Sequence, residues 1–452
     1  MSDSTQEPAE ALAREIELDG QSGTQVNHAL ASLAQAVDLE SSSRYSGALC
    51  RKRVIQSAQS LLKLVLGYAL TDYSLRMLGL WATLMGWGSL SKSGVRKRLC
   101  QSQAWIGVLL MAVLVRGKLA QPQQAGLRLR LFDCSTVSQP GSHKIDWRLH
   151  LGFDLCAGRM TDVHLTDGKQ GESLTRWQFS PGEICLADRA SGVPRCLGVL
   201  LGATASFVIR IGWQNLPVQD GQGRPFCLSQ WLKVQSNDPS TPPAQVRVWV
   251  TTPQGRFPVR VVARAIPPGK AAKIRKKLQA EAKHKKTRLD ERSLLAAGFV
   301  MVVSNLSEAT WSPGEILELY RFRWQIELVF KRLKSILCFD QLRATDPHLA
   351  QVYLLSKLLI ALLVSEAEWR LVLAAPEMFQ NPDRPVSRWR LTQLSLAAFR
   401  QSVCGVLTWE QIFRHLPLLD RYLCDDPRRR QSQLAALWNS GSRWGSYGSV
   451  SH

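Results

Sequence analysis

Between Leu127 and Ile211 the apolar residues of this chain recur in an order that few folds can use: three alternating segments in succession, then helix, strand, helix and strand. Leu127-Arg-Leu-Arg-Leu-Phe-Asp133 alternates, and Asp146 to Asp154 and Met160 to Thr166 do the same on either side of Cys156-Ala-Gly158. A period of two belongs to half-buried strands. Glu172 to Phe179 reads as a short helix, and Glu183-Ile-Cys-Leu-Ala-Asp188 as a buried strand ending in Asp188-Arg189. A helix from Val193 to Gly202 and a strand from Ser206 to Ile211 complete the run.

That order is the one found in a ribonuclease-H-like α/β fold. Residues 213–298 break the rhythm: Val246 to Thr251 and Phe257 to Ile266 alternate like antiparallel strands, and a basic helical run follows from Lys270 to Arg288. Phe299 to Ser304 then returns as a strand. We expect a helical DNA-binding region over 1–126, a core split into 127–212 and 299–345, a mostly β insertion over 213–298, and a helical region over 346–452 as a dimerisation candidate. In the first region a helix, the break Gly86-Trp-Gly-Ser and a second helix with Arg96, Lys97 and Arg98 near its start fit a helix-turn-helix, or an ordinary helical hairpin. The Ser/Gly-rich tail from Ser440 is expected to fray.

Charge bounds the partner. Lys and Arg number 57 against 36 Asp and Glu, a net +21. Such an excess suits a polyanion or an anionic surface. The apolar run Leu359-Ile-Ala-Leu-Leu-Val364 is far short of the ~20 residues that cross a bilayer, so it reads as a core helix. The N-terminus is acidic and lacks the apolar stretch of a secretory signal. Ten cysteines without a Cys-x-x-Cys pair speak against a zinc site or a disulfide framework and fit a reducing cytoplasm. Nucleic acid becomes the expected partner, and the chain is expected to be cytoplasmic, with no membrane.

The stretch from Ser312 to Lys334 reads as one amphipathic helix. Ser312, Pro313 and Glu315 form a capping-box start. At about 100° per residue, Phe322, Ile326, Val329, Phe330, Leu333, Ile336 and Leu337 share one apolar face. Tyr320, Arg323, Glu327 and Lys334 form a stripe beside it, with Glu327 set among Arg321, Arg323, Lys331, Arg332 and Lys334. Asp133 and Asp188 each end a strand, and in open α/β sheets the site lies beyond the carboxyl ends of strands. Single aspartates there often close turns, as Asp146, Asp154, Asp162 and Asp167 are expected to do. Three converging carboxylates instead suit hard cations, Mg²⁺ or Mn²⁺. Two such ions can activate an attacking oxygen and stabilise the leaving one in phosphoryl transfer.

Asp133-Cys-Ser-Thr, Leu186-Ala-Asp188-Arg189 and Tyr320-x2-Arg323-x3-Glu327-x6-Lys334 resemble the DDE transposases of bacterial insertion sequences, specifically the insertion-sequence-4 type. The similarity spans roughly residues 90 to 345. It implies a cut-and-paste transposase that binds terminal inverted repeats, works as a homodimer and uses two divalent ions held by Asp133, Asp188 and Glu327. It further implies that Tyr320, Arg323 and Lys334 hold the transposon end, with Arg189 a further phosphate contact. Arg96, Lys97, Lys276, Lys277 and Lys285 are expected on DNA through their charge. Phe299 stands 28 residues before Glu327, where hairpin-forming members carry a base-stacking tryptophan, and it reads either as a stacking ring or as a core phenylalanine. A DNA-binding regulator without catalysis, or a nuclease without strand transfer, are the alternatives.

Overall fold

The structure, a computed structural model, describes residues 33–34, 36–119, 128–374 and 386–405. The acidic N-terminus, Leu127 and the tail from Ser440 lie outside the described residues. The chain divides into two compact units, one of Leu39–Trp105 with the residues from Arg400 on, the other containing Ile106–Phe399.

The smaller unit is helical. It holds α1 (Leu39–Tyr45), α2 (Ala58–Leu70), α3 (Leu75–Leu84) and α4 (Lys92–Gln101), and α5 (Gln103–Leu119) begins at its edge. Serines 57, 74 and 91 cap α2, α3 and α4, each accepting a backbone N–H of the first turn. Trp81 and Trp105 are fully enclosed, and their indole N–H groups donate to the Cys404 carbonyl (3.2 Å) and the Ser42 hydroxyl (3.0 Å). The glycine turn between α3 and α4 is present, with Gly86 at φ +74. Arg96 and Lys97 are exposed, but they lie in the middle of α4 and not near its start, because Ser91 opens the helix five residues earlier.

The larger unit is built on one ten-stranded sheet. Its strands are β1 (Arg128–Val137), β2 (Trp147–Asp154), β3 (Arg159–Asp167), β4 (Glu183–Ala187), β5 (Ser206–Arg210), β6 (Val218–Gln219), β7 (Pro225–Phe226), β8 (Ala244–Thr252), β9 (Gly255–Ala265) and β10 (Phe299–Ser304). They lie in the order β3-β2-β1-β4-β5-β10-β9-β8-β6-β7. The meander β1–β3 is antiparallel, while β1, β4 and β5 run parallel. Its helices are α6 (Pro194–Gly202), α7 (Leu228–Lys233), α8 (Pro268–His284), α9 (Glu291–Ala296), α10 (Pro313–Arg321), α11 (Trp324–Ser335) and α12 (Pro347–Ala374), followed by α13 (Arg388–Cys404), which runs past its boundary. The strands of 213–298 continue the core sheet, since β9 pairs with β10 and β10 with β5, and three helices accompany them.

One apolar layer covers a face of that sheet from β1 to β6, joining Phe132, Ala187, Leu197 and Phe207 to Val250, Val261, Met301 and Val303. Phe299 belongs to this layer and is 5% exposed, so it is a core phenylalanine and offers no face to a base. Segment 172–179 is not the short helix its pattern suggests. Only Leu174–Arg176 makes a 3₁₀ turn, and Leu174 and Trp177 are buried against the same layer. Asp162 is no turn residue either. It pairs at 2.6 Å with the buried Arg130, whose other arm meets Glu183 at 2.9 Å. Asp146, Asp154 and Asp167 do close turns, accepting the N–H groups of Gln139, Ala157 and Lys169.

The apolar run at Leu359–Val364 is the centre of α12, and this 28-residue helix is longer than the run predicted. By length and composition it could cross a membrane, but 78% of its most apolar window is packed inside the protein. It serves as a core helix.

Candidate active site

Strand β1 does not stop at Asp133. It continues to Val137 in its pairing with β2, but its parallel ladder with β4 ends at Phe132 opposite Ala187. Asp133 and Asp188 are thus the next residues on neighbouring strands, whose axes lie about 5 Å apart. Phe132 faces the apolar layer, so alternation turns Asp133 to the opposite face. Helix α11 packs there, against β1. Asp188 opens a 3₁₀ turn through its carbonyl and makes no side-chain cap, so its carboxylate is not spent on the backbone.

The stretch from Ser312 to Lys334 is two helices, not one. At the junction the N–H groups of Phe322, Arg323, Gln325 and Ile326 donate to carbonyls three residues back, at 3.0–3.2 Å. This tighter winding rotates the following side chains relative to a continuous α-helix. Phe322, expected on the buried face, is therefore 45% exposed, and Trp324 beside it is 47% exposed. Of the rest of the expected apolar face, Ile326, Val329, Phe330, Leu333 and Leu337 are buried and Ile336 is half-buried. The capping box also forms as expected between Ser312 and Glu315.

Arg323 is the hub. Its guanidinium donates to Asp133 Oδ2 at 3.3 Å and to Glu327 Oε1, one turn along α11. It also lies 6.0 Å from the Tyr320 ring. Burial disfavours its charge, but Tyr320, Glu327 and Asp188 outweigh that and hold it firmly protonated. Burial raises the Asp133 carboxyl to about 6. The Cys134 N–H (2.8 Å) and Arg323 pull it down, while Asp188 and Glu327 push it up. Tyr320 is raised to about 12, chiefly by burial, and its hydroxyl is shut from solvent with no hydrogen-bond acceptor among the described residues. Lys334 lies seven residues after Glu327, two helical turns on and on the same side, and is half-buried. Arg189 is exposed beside Asp188 and lies over Gly212, where any side chain would meet its guanidinium at under 3 Å.

The structure thus brings Asp133, Glu327 and Arg323 into one linked group and sets Asp188 and Tyr320 within electrostatic reach of it. Lys276, Lys277 and Lys285 are exposed along and just after α8, and none of them is joined to this group. Among the described residues no three His, Cys, Asp or Glu side chains stand close enough to share one ion as placed. Two groups escaped sequence reasoning. Trp324 was hidden by the assumption of an unbroken helix. Glu172, in the segment after β3, had only its closeness to two glycines as a signal, and the negative charge of Asp133 acts on it.

Comparison with known proteins decides the family. Residues 125–363 match the transposase DDE domain. The chain is 34% identical over 343 residues to the putative transposase InsL for insertion sequence element IS186A of Escherichia coli (strain K12), covering 75% of this chain and 92% of that protein. This chain belongs to the DDE transposases. It is likewise 34% identical over 344 residues to the transposase for insertion sequence element IS421 of Escherichia coli, with the same coverage of 75% and 92%. A shorter similarity, 34% over 105 residues and 22% of each chain, links it to the transposase for insertion sequence element IS231F of Bacillus thuringiensis subsp. israelensis. As a DDE transposase it is an enzyme that acts on DNA, and its mixed α/β architecture agrees with that family.

Proposed function

We propose that this transposase excises an insertion sequence by cutting at its terminal inverted repeats and joins the freed ends to target DNA, working as a homodimer on paired ends. The supporting observation is the link from Asp133 through Arg323 to Glu327 beside Asp188, because it gathers the Tyr-(2)-Arg-(3)-Glu-(6)-Lys stripe of the insertion-sequence-4 type onto the strand-end aspartates.

The donor set fits a pair of Mg²⁺ or Mn²⁺ ions. It is all oxygen, as these cations prefer. Asp188 is uncommitted to a cap. Asp133, Asp188 and Glu327 would hold the ions, which supply activation of the attacking oxygen and stabilisation of the leaving oxygen in an in-line displacement. Glu327 is exposed, and turning it toward the aspartates to hold an ion would release Arg323. The freed guanidinium can then fork two oxygens of a phosphate, and Lys334, on the same side of α11, adds a second cation to the strand. Tyr320 stays protonated throughout the physiological range, and release of Arg323 would open its enclosed O–H to the DNA backbone. Phe322 and Trp324 offer exposed rings to unstacked bases at the cleavage point. Arg189, beside Asp188, and Arg96, Lys97, Lys276, Lys277 and Lys285 neutralise further phosphates.

The test is incubation with a plasmid carrying an element end pair and Mg²⁺. Excision and joining are expected with the wild-type chain, and binding without cleavage for Asp133→Ala, Asp188→Ala and Glu327→Ala. Nicking without joining would leave a nuclease, and binding alone a regulator. Normal excision by any of the three variants would remove that residue from the cation site.

A further inference from the structure

Arg210 ends β5 and belongs to none of the motifs named above. The ladder across the parallel strands pairs Phe132 with Ala187 and Ala187 with Ile209. These residues all belong to the apolar layer, and their successors Asp133, Asp188 and Arg210 follow one another across β1, β4 and β5. Alternation turns those successors to the opposite face of the sheet. The antiparallel neighbour agrees. Arg210 stands opposite Val302, while Met301 and Val303 on either side of Val302 belong to the layer. At about 5 Å per strand, Arg210 lies one strand from Asp188 and about 10 Å from Asp133.

Over this face α10 packs on β5 and α11 on β1, so the break between the two helices passes above β4 and Asp188. Arg323, at that break, reaches Asp133 on β1. Arg210 flanks the aspartates on the other side, beneath α10, and its charge acts on Tyr320 in the last turn of that helix. Arg210 is half-buried, and among the described residues its guanidinium has neither an ion pair nor a hydrogen bond. Arginines are seldom sheltered from water unless paired. One kept so without a partner is matched to an anion that arrives from outside, and its fork suits the oxygens of a phosphate. The anion that a DNA-cutting enzyme receives beside its aspartates is the DNA backbone.

Resting on the reading of the site given above, we infer that Arg210 holds a DNA phosphate on the β5 side of the cut, so that the strand is gripped on both sides of Asp188, by Arg323 and by Arg210. The alternative role is structural, with Arg210 offsetting the partial negative charge at the C-terminal end of α10.

Single-turnover cleavage in Mg²⁺ of a labelled duplex carrying the element end separates the two. Each phosphate flanking the nick is replaced in turn by an uncharged methylphosphonate, and every duplex is given to wild type, Arg210→Ala and Arg210→Lys. Arg210→Ala should bind the unmodified end within a few-fold of wild type, since many other cations hold it. It should cut that end about 10- to 100-fold more slowly, the loss of one charged hydrogen bond and of the positioning it gives. Arg210→Lys should fall between the two. At one phosphate next to the nick, the methylphosphonate should slow wild type about as much as the arginine loss does, yet slow Arg210→Ala by less than about twofold, the non-additivity of a direct contact. Support of a helix end would not single out one phosphate. Folded Arg210→Ala that is slowed as much as wild type at every phosphate, or that cuts the unmodified end at the wild-type rate, overturns the inference. Should Arg210→Ala fail to fold by circular dichroism, Arg210→Gln replaces it, and failure of both to fold returns Arg210 to the structural role. No cleavage by wild type, or normal cleavage by Asp188→Ala, would instead overturn the reading of the site itself.

Discussion

Replacing Asp133 by asparagine should make the cation-free protein more stable while abolishing cleavage. The Asp133 side chain is 17% exposed and its carboxyl is raised from 3.8 to about 6. Roughly two pKa units at 1.36 kcal/mol each correspond to about 3 kcal/mol of destabilisation at neutral pH. The sign follows from proton binding. Between pH 4 and 6 the folded state holds a proton that the unfolded chain has lost, so stability falls as pH rises through that window and is fully present below it. Asparagine cannot ionise, it still offers an oxygen to the Cys134 N–H, and it gives up the attraction of Arg323. A net gain of about 1–3 kcal/mol at pH 7.5 is expected. Urea unfolding in EDTA, followed by circular dichroism at pH 4 and pH 7.5, measures it. The variant and wild type should unfold together at pH 4 and diverge at pH 7.5, and Mg²⁺ should restore only the wild type. A variant less stable than wild type at pH 7.5 in EDTA would refute the reasoning.

Arg323→Ala and Lys334→Ala should bind labelled element ends within a few-fold of wild type, since many other cations hold the duplex, yet cleave slowly in single turnover because positioning acts on rate. Arg323→Lys should rescue only in part, an ammonium being unable to fork two phosphate oxygens; wild-type cleavage rates in both alanine variants would reduce the stripe to a solvated helix edge. Neutralising Lys276, Lys277 and Lys285 together should flatten the salt dependence of end binding by up to about 0.9 in log–log slope per lost phosphate contact, and an unchanged slope would make the face of α8 a merely solvated one.

What could be read from the sequence alone was what short-range physics decides. The period of two and the turn residues located β1 to β5 and β8 to β10 within a residue or a few. The reciprocal hydrogen bonds between Ser312 and Glu315 depend on atoms three residues apart, so the start of α10 was legible too. Tyr320, Arg323, Glu327 and Lys334 were recognisable by spacing even though the helix carrying them is broken, because the break comes at Arg323 and Glu327 still follows it by one turn. The same Ser-Pro-Gly-Glu tetrapeptide shows where such reading ends. At 312–315 it caps a helix, while at 180–183 Gly182 adopts φ +80 and Glu183 turns inward to the buried Arg130, starting β4. The outcome lies with residues far along the chain: a buried arginine draws one glutamate into the sheet, and the other stays at the surface to close its cap. Glu172, Arg323 and Phe299 follow the same rule. Glu172 reaches Cys134 only because β3 leads back past β1, Arg323 meets Asp133 only because α11 packs on β1, and Phe299 is enclosed only because β9 and β5 flank β10. Each contact joins residues more than thirty positions apart, and a long-range contact of that kind leaves no period in the sequence.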